Sequence, residues 1–370
     1  MNAPRPRLSD HPTFDPNVPF NNLPKLPPAN EVETRAVLKA TIAAREKLAE
    51  LRTACQLIPN PDIITSTIPL REARASSEIE NIVTTNDELF RAAHHIDAEP
   101  TAATKEALRY SFALREGVRS LKDRPLSVKT AIAVCGTLQG NEAQIRSTPG
   151  TYIGNPHTGE RRYTPPEGFD TIMGHLSTWE NYMHSDHDVD DLVKMALLHY
   201  QFEAIHPFYD GNGRTGRIIN ILYLLQQSLL ELPVLYLSGY IVENKSEYYR
   251  LLNAVTASDA WEEWLLFMIR GVEVSSMAAS SLIADLRAVQ ETMVHDIRAA
   301  GVISPAMEIA ELALIKPYLR IRDVEGTGLV KRQTASAWLN HLVSIGLLES
   351  HAVGREKIFI NHRALEVLTR

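Results

Sequence analysis

The amino-acid sequence predicts a mainly α-helical protein that carries a small β-hairpin and ends in a winged helix-turn-helix. Three observations predict this fold class. Apolar residues recur at helical spacing from about residue 31 to residue 299. Turn-forming residues interrupt that pattern at residues 146–166, where a hairpin fits. From residue 301 onward, two helical segments are followed by two short strands, the element order of a winged helix.

The helical periodicity gives the elements in order. We predict helices at about residues 31–57, 68–83, 167–184, 188–205, 214–230, 244–257, 260–272, 274–299, 305–318 and 334–345, with more helix through 101–140. Short strands are predicted at 347–349 and 357–360. The segment at 214–230 is apolar nearly all round, which is typical of a buried central helix.

These elements group into predicted domains. In chain order they are an extended arm at 1–30, an N-terminal helical region at 31–100, a helical core at 101–275, a linking helix at 276–300 and the winged helix at 301–370. The arm is assigned from its Pro and Asn content. A length of 370 residues is enough for two or three domains.

Composition is typical of a soluble globular protein, with 44% hydrophobic and 22% charged residues. The net charge of −7 argues against a general nucleic-acid binder, because phosphate binding needs a positive field. The two cysteines, Cys55 and Cys135, fit a reducing compartment. The first residues lack a signal-peptide core, and the apolar stretch at 218–230 is far shorter than the about 20 residues of a membrane span. We therefore expect a cytoplasmic protein without membrane contact.

The segment HPFYDGNGRTGR at residues 206–217 carries the chemistry. Proline after His206 disfavours helix at that position, so the imidazole is expected at a helix end. An ordinary histidine pKa of about 6.5 suits a base working near neutrality. Gly211 and Gly213 let the backbone approach a ligand closely, and the helix that begins next favours an anion.

Two arginines and one carboxylate complete this segment. Arg214 and Arg217 are three residues apart, so both reach one side of the helix start, where guanidinium groups bind phosphate oxygens. Asp210 supplies the single carboxylate with which Mg²⁺ is often held beside phosphates. Taken singly, a His before Pro is usually structural and such arginines are usually solvated. All of them within twelve residues favour a phosphate cradle with a base beside it.

The pattern HPFxDGNGRxxR resembles the active-site motif of the Fic (filamentation induced by cAMP) family without departure, and the resemblance covers about residues 60–275. It implies a Fic helical core and a protein adenylyltransferase that moves AMP from ATP to a Tyr, Thr or Ser hydroxyl. By position, the resemblance implies a general base at His206, a loop anchor at Phe208 and a Mg²⁺ ligand at Asp210. It implies nucleotide binding by Gly211, Asn212, Gly213, Arg214, Gly216 and Arg217.

The segment SSEIEN at residues 76–81 is similar to the inhibitory motif of the same family. Ser76 and Glu80 are four residues apart and share a helix face. The resemblance implies that Glu80 pairs with Arg217 and displaces the γ-phosphate of ATP. Taken alone, such a pattern is more often a solvated helix face. With the active-site match beside it, we expect an enzyme inhibited by its own N-terminal helix.

The hairpin at residues 151–164 resembles the flap on which Fic proteins bind their targets, and an exposed strand edge pairs readily with an extended segment. An ordinary surface hairpin is the alternative. Family position favours Tyr240, Tyr249 and Asn253 for the adenine pocket, since aromatic faces stack on bases. Core packing is the alternative for the tyrosines.

The remaining candidates carry weaker signals. His184 and His187 are interpreted as a polar loop rather than a metal site, because no third ligand lies near in sequence. His199 is expected to be packed. Residues 301–370 carry nine Lys or Arg and seven Asp or Glu, a local charge of +2 against −9 elsewhere. The candidate DNA contacts are Lys331, Arg332, Arg355 and Lys357.

Two further functions and one assembly stay open at this point. The same site run in reverse removes AMP, with Glu80 positioning a water molecule. A transcription regulator whose core senses a nucleotide is the alternative from another class. Winged helices also serve as dimer or protein-docking domains, so a homodimer remains a prediction beside weak DNA contact through 301–370.

Overall fold

The structure is a computed structural model that describes residues 14–96, 99–155, 158–186, 188–353 and 356–369. The N-terminal and core helices are α1 Arg35–Gln56, α2 Asp62–Thr65, α3 Ile68–Ile79, α4 Asn86–Ala93, α5 Ala102–Ser120, α6 Val128–Gln139, α7 Phe169–His184, α8 Asp191–Ile205, α9 Asn212–Gln226, α10 Leu237–Glu243 and α11 Lys245–Ser258. The remaining helices are α12 Trp261–Ala300, α13 Ala306–Ile315, α14 Ile321–Glu325, α15 Arg332–Ser344 and α16 His362–Thr369. The strands are β1 Ile153–Asn155, β2 Glu160–Tyr163, β3 Tyr318–Arg320, β4 Glu349–Val353 and β5 Glu356–Ile360. The predicted mainly helical fold is confirmed.

Helices α8 and α9 form the centre of the core. Helix α9 is buried along nearly its whole length, as its continuous apolar surface predicts. It packs against α3, α5, α6 and α8. Each fully buried Ile or Leu contributes about 1.5–3 kcal/mol relative to exposure. The loop between α8 and α9 is therefore held between two well-packed helices.

Helix α12 corrects the sequence prediction of two separate helices at 260–272 and 274–299. It is one helix of 40 residues, and it crosses the predicted boundary between the core and the linking helix. The glycine at 271 does not break it. A Cβ there would lie 2.8 Å from Cδ1 of Tyr240, so Gly271 permits close helix packing instead. By length and composition α12 could cross a membrane, but 56% of its most apolar window is buried inside the fold, as in a core helix.

The helix predicted at 68–83 ends four residues early, at Ile79. Glu80 is its C-cap, and Asn81 adopts a left-handed φ of 63°. The N–H of Ile82 then donates to the carbonyl of Ser77 at 3.0 Å, which closes the turn. The end of α3 therefore presents the Glu80 side chain at a turn rather than along a helix face.

The predicted hairpin is present as β1 and β2, which pair antiparallel with Ile153 opposite Tyr163. Gly154 is required there, because a Cβ at this position would lie 2.0 Å from the carbonyl oxygen of Glu160. The described part of the arm, from residue 14, packs under this hairpin: the Phe20 N–H donates to the Thr164 carbonyl at 3.0 Å. Residues 1–13 of the predicted arm lie outside the described residues.

The C-terminal module has the predicted winged-helix arrangement. Helices α13, α14 and α15 pack on a three-stranded antiparallel sheet of order β3–β5–β4. The sequence missed β3, which is only three residues long, and β4 begins two residues later than predicted. A second apolar core that includes Ile309, Leu339 and Phe359 lies inside this module.

The winged helix also contacts the N-terminal region on both sides of α3. Before α3, Nδ2 of Asn60 donates to Oε2 of Glu311 at 3.0 Å. After α3, the Tyr318 hydroxyl donates to Asp87, and Nη1 of Arg320 donates to the His94 carbonyl at 3.2 Å. The segments flanking α3 are therefore attached to the C-terminal module.

Candidate functional site

His206 lies immediately after α8, as the following proline predicts. Its N–H donates to the Phe202 carbonyl at 3.0 Å, and its backbone is left-handed with φ 49°. Burial and, to a smaller extent, the charge of Arg146 lower the pKa of its imidazole to about 4, against the opposing charges of Glu80 and Asp210. The ordinary value expected from residue type is therefore wrong, and the ring is neutral throughout the physiological range.

Arg146 is a site residue that sequence reasoning missed. Its guanidinium is fully buried and donates to three backbone carbonyls: His206 at 2.6 Å, Pro166 at 2.5 Å and Ile205 at 3.0 Å. Its own N–H donates to the Pro207 carbonyl at 2.9 Å. Arg146 thus fixes the backbone on both sides of the catalytic candidate. In the sequence, only its position at the edge of a turn-rich stretch could have indicated this role.

The loop itself is held by its own residues. Phe208 is buried and packs near Phe202, as its predicted anchoring role requires. The Asn212 amide forms a reciprocal pair with the Phe208 backbone, accepting from its N–H at 2.8 Å and donating to its carbonyl at 2.8 Å. The Asn212 side chain is therefore used to shape the loop, and only its backbone N–H is left for an anion.

Gly211 is the N-cap of α9, with a left-handed φ of 80° that favours glycine. The first N–H groups of a helix have no partner within it, and their dipoles favour negative charge. Gly213 lies in this first turn. The segment predicted to bind phosphate is thus the N-terminus of α9, where two glycines leave the backbone without side chains.

Asp210 lies at the mouth of this cradle, and its side chain is 78% exposed. Oδ1 accepts from the Gly211 N–H at 2.7 Å, and Oδ2 lies 3.7 Å from Nη2 of Arg214. Gln139 donates to the Asp210 carbonyl at 2.7 Å and so holds its backbone. One accessible hard oxygen beside a phosphate cradle fits Mg²⁺, which needs few protein ligands when phosphates supply the rest.

The two arginines predicted to bind phosphate are both buried, and each already has a carboxylate partner. Nη1 of Arg214 lies 2.5 Å from Oε1 of Glu106, which sequence reasoning did not single out. Arg217 donates from Nε to the Ser76 hydroxyl at 2.8 Å and from Nη2 to Oε1 of Glu80 at 2.8 Å. The structure therefore brings Arg217 together with Ser76 and Glu80, which precede it by more than 130 residues in the sequence.

Glu80 also lies over the start of α9. A Cβ built on Gly213 would come 2.3 Å from Oε1 of Glu80, so the carboxylate touches the first turn of the helix. Burial favours the protonated form, but the charge of Arg217 outweighs it and lowers the pKa of Glu80. An ionised carboxylate therefore occupies space at the anion-binding end of α9.

Glu203 is a second carboxyl group that the sequence did not indicate. Burial raises its pKa to about 7, although Arg217 opposes the shift. Its Oε1 has no hydrogen-bond partner within the part of the chain that the structure describes. A Cβ on Gly216 would lie 2.5 Å from that oxygen, so Gly216 makes room for Glu203 and α8 rather than for the cradle.

The predicted adenine pocket is only partly assembled. Tyr249 and Asn253 line a small cavity together with Glu203 and with Ile153 of the hairpin. Tyr240 is not among the residues lining that cavity. Its ring packs 5.1 Å from that of Phe267, because α10 turns this side chain toward α12.

The other histidine candidates have ordinary structural surroundings. His199 is packed as predicted, with Nε2 2.9 Å from the Tyr248 hydroxyl. His184 contacts the Leu126 carbonyl at 2.7 Å, while His187 lies outside the described residues.

Among the basic winged-helix residues, Lys331 and Arg332 open α15. Lys357 donates to Asn340 at 2.7 Å, and Arg332 lies 4.0 Å from Glu325. Arg355 falls outside the described residues.

The helical fold and the loop between α8 and α9 define a Fic-domain protein. Three family models match the chain: "Fic/DOC family N-terminal" at residues 38–119, "Fic/DOC family" at 128–224 and "Protein adenylyltransferase SoFic-like, C-terminal domain" at 292–364. The chain belongs to the Fic/DOC family.

Similar proteins carry the corresponding names. Protein adenylyltransferase fic-1 of Caenorhabditis elegans is 30% identical over 128 residues, which cover 34% of this chain and 22% of that protein. Protein adenylyltransferase Fic of Nematostella vectensis is 27% identical over 137 residues, covering 35% of this chain and 30% of that protein. The chain thus spans about a quarter of the length of these relatives.

Solved structures support the fold. A Fic family protein from Desulfovibrio desulfuricans G20 matches with a TM-score of 0.56 at 19% identity, covering 88% of this chain and 96% of that one. A fragment of C. elegans Fic-1 matches with a TM-score of 0.52 at 18% identity, covering 67% and 74%.

Proposed function

We propose that this protein transfers AMP from ATP to a Tyr, Thr or Ser hydroxyl of a target protein, and that Glu80 holds it inactive. The observation that carries the proposal is the neutral His206 imidazole at the edge of an anion-binding helix start flanked by Arg214 and Arg217. A neutral imidazole beside an anion-binding helix start can accept the proton of a hydroxyl that attacks a phosphorus atom held there.

In the proposed reaction, the target hydroxyl gives its proton to His206 as its oxygen attacks the α-phosphorus of ATP. The bond to the β-phosphate oxygen breaks in line, pyrophosphate leaves, and AMP remains esterified to the target. The N–H groups of the first turn of α9 and the two arginines stabilise the charge on the phosphates. Asp210 is the residue that would hold Mg²⁺, which neutralises phosphate charge when bound.

The contact between Glu80 and Arg217 supports autoinhibition. Arg217 is the guanidinium proposed for the γ-phosphate, and the carboxylate already accepts its Nη2 at 2.8 Å. Because Glu80 also touches Gly213, a γ-phosphate there would meet a negative charge at short range. ATP would then bind with its phosphates out of line for attack.

The hairpin of β1 and β2 is proposed to hold the target. A target segment would pair with the exposed edge of the hairpin by main-chain hydrogen bonds and so bring its hydroxyl to His206. The cavity lined by Tyr249 and Asn253, next to Ile153 of β1, is the proposed adenine subsite. Cytoplasmic location is also proposed, supported by two cysteines that are buried and unpaired.

Removal of AMP at the same site is a second candidate. Glu80 contacts Arg217 and touches the first turn of α9, so its carboxylate could orient a water molecule toward a phosphorus atom bound at that helix start. Since Lys357 and Arg332 already contact Asn340 and Glu325, the basic winged-helix residues supply no comparable argument for a DNA-binding regulator.

The test uses cell lysate, Mg²⁺ and ATP labelled at the α-phosphate, with the wild-type chain, Glu80→Gly and the double variant Glu80→Gly/His206→Ala. We expect protein labelling by Glu80→Gly, little by the wild type, and a loss of about 10²- to 10⁴-fold in the double variant, which removes the base but not the cradle. With ATP labelled at the γ-phosphate, adding Glu80→Gly should give no label beyond that of the lysate alone, which separates AMP transfer from phosphoryl transfer. Failure of Glu80→Gly to label any protein, itself included, would overturn the transferase proposal.

The reverse reaction is tested on the labelled product. Release of AMP from it by the wild type, but not by Glu80→Gly, would favour the second candidate.

A further inference from the structure

Three side chains with metal-ligating atoms converge on the C-terminal module, away from the residues of the nucleotide site. Glu349 and His351 alternate along β4 and therefore point to the same face of the sheet. His362 is the first residue of α16 and lies two residues after Ile360. Ile360 is paired with Glu349 across the β4–β5 ladder. The register of this ladder thus sets the position of all three.

The ligand atoms are already close together. Nε2 of His351 lies 2.8 Å from Oε1 of Glu349, and Nε2 of His362 lies 2.8 Å from Oε2 of the same carboxylate. All three groups offer ligand atoms within 4.8 Å of one another. Each side chain is about half exposed, so an ion in solution has direct access.

We propose that Glu349, His351 and His362 form a binding site for a divalent transition metal, with Zn²⁺ as the preferred ion. Two imidazole nitrogens and one carboxylate oxygen suit Zn²⁺, Co²⁺ and Ni²⁺, whereas Mg²⁺ and Ca²⁺ prefer oxygen ligands throughout. Ligands about 2 Å from a tetrahedral ion lie about 3.3 Å apart. The 2.8 Å pairs therefore need to open by about half an ångström, which half-exposed side chains allow.

Three protein ligands leave part of the coordination shell to water, so the site is open and exchangeable rather than a closed structural site. The ion would link β4 to the first residue of α16, and α16 in turn packs against α4. Binding to the folded chain alone stabilises it by mass action, so zinc should raise the unfolding temperature. This proposal is independent of the nucleotide chemistry, because it uses none of those residues.

The test is calorimetric titration of the full-length, tag-free and chelator-treated protein with Zn²⁺, with Co²⁺ absorption in the visible range as a second probe. We expect one saturable equivalent in the wild type. Outer-shell partners alone change metal affinity by about 10- to 100-fold, so removing a direct ligand in His351→Ala or His362→Ala should weaken binding at least about 10-fold. Exposed His295 on α12 supplies the matched control, His295→Ala, which should bind as the wild type does.

Glu349→Gln keeps the side-chain shape and guards against a folding defect in the alanine variants. It should keep the helical circular dichroism spectrum, lose zinc affinity and lose the zinc-dependent rise in unfolding temperature. The proposal is overturned if the wild type shows no saturable binding. It is equally overturned if the double variant His351→Ala/His362→Ala, folded by the same spectrum, binds zinc with unchanged affinity.

Discussion

The loop between α8 and α9 and the helix α3, which we propose to be catalytic and inhibitory respectively, meet at the start of α9, yet they are held in place in different ways. The loop is shaped mainly by its own residues, through the Asn212 amide on the Phe208 backbone, with Arg146 as its clamp from outside. Helix α3 depends on distant segments. Its buried Glu72 accepts from the Tyr110 hydroxyl at 2.9 Å and from the Ser238 N–H at 3.0 Å.

We expect this difference to separate a fixed part of the site from one that can shift. A loop closed by its own hydrogen bonds stays formed whether or not α3 is in position. We expect a helix held at an interface of several elements to respond when any of them shifts. We therefore expect activity to be set by the position of α3 and chemistry to be set by the loop.

The largest expected effect comes from removing the contact between the two regions. Glu80→Gly should raise AMP incorporation by about 5- to 150-fold, the range of a coupling free energy of about 1–3 kcal/mol. Glu78→Gly is the matched control, because Glu78 is on the same helix but pairs with Arg74 at 3.1 Å. Equal activation by both variants would mean that loosening α3, rather than freeing Arg217, activates the enzyme.

The next largest effect is expected at Arg146, which holds the loop from outside. In the Glu80→Gly background, Arg146→Lys loses the guanidinium fork that holds three carbonyls, and kcat should fall on the order of 10- to 100-fold because His206 is misplaced. ATP affinity, measured by equilibrium titration, should change little. A selective loss of ATP affinity with kcat retained would contradict a positioning role.

The same residue gives a pH prediction with a defined sign. Transfer requires neutral His206, whose pKa is about 4, so the rate should hold on the acid side of neutrality and fall only near that value. Arg146 lowers this pKa, so Arg146→Met should move the acid limb of the kcat profile to higher pH, whereas Arg146→Lys keeps the charge and should not. Identical acid limbs for the two variants would refute this electrostatic role.

A smaller effect is expected at the attachment of α3. Glu72→Gln replaces a buried carboxylate that accepts from Tyr110 and Ser238, weakening the attachment by about 1 kcal/mol. Basal labelling by the otherwise wild-type chain should rise roughly fivefold. The same substitution in the Glu80→Gly background should not raise labelling further, since the inhibitory contact of Glu80 with Arg217 is already absent. A further rise there would mean that Glu72 does not act through that contact.

The smallest effect is expected where the winged helix contacts the segment after α3. Tyr318→Phe removes the hydroxyl that donates to Asp87, at a cost of about 0.5 kcal/mol, so basal labelling should rise about twofold. If the free energy of unfolding falls, which shows that the contact is lost, but labelling is unchanged, then the C-terminal module does not influence α3.

Particular residues show how much of the candidate site could be predicted from the sequence. The order of His206, Asp210, Gly213 and the arginines predicted a helix end and a following helix. Both are present, because proline and glycine act locally. The prediction of separate helices at 260–272 and 274–299 was wrong, because one helix spans both and Gly271 within it accommodates Tyr240 from another helix. Tyr240 was placed in the adenine pocket by position alone, and helix packing turned it elsewhere.

By itself, the sequence determined the mainly helical class and the helix start after His206, and the motif at residues 76–81 predicted the pairing of Glu80 with Arg217, because these depend on neighbours in the chain or on a specific motif. Only the tertiary structure decided that Arg146, 60 residues before His206, would clamp it. It also decided that Glu203 would be buried beside Gly216 and that the pKa of His206 would be lowered to about 4. Burial and long-range charge set such properties, and both arise only when distant segments pack together.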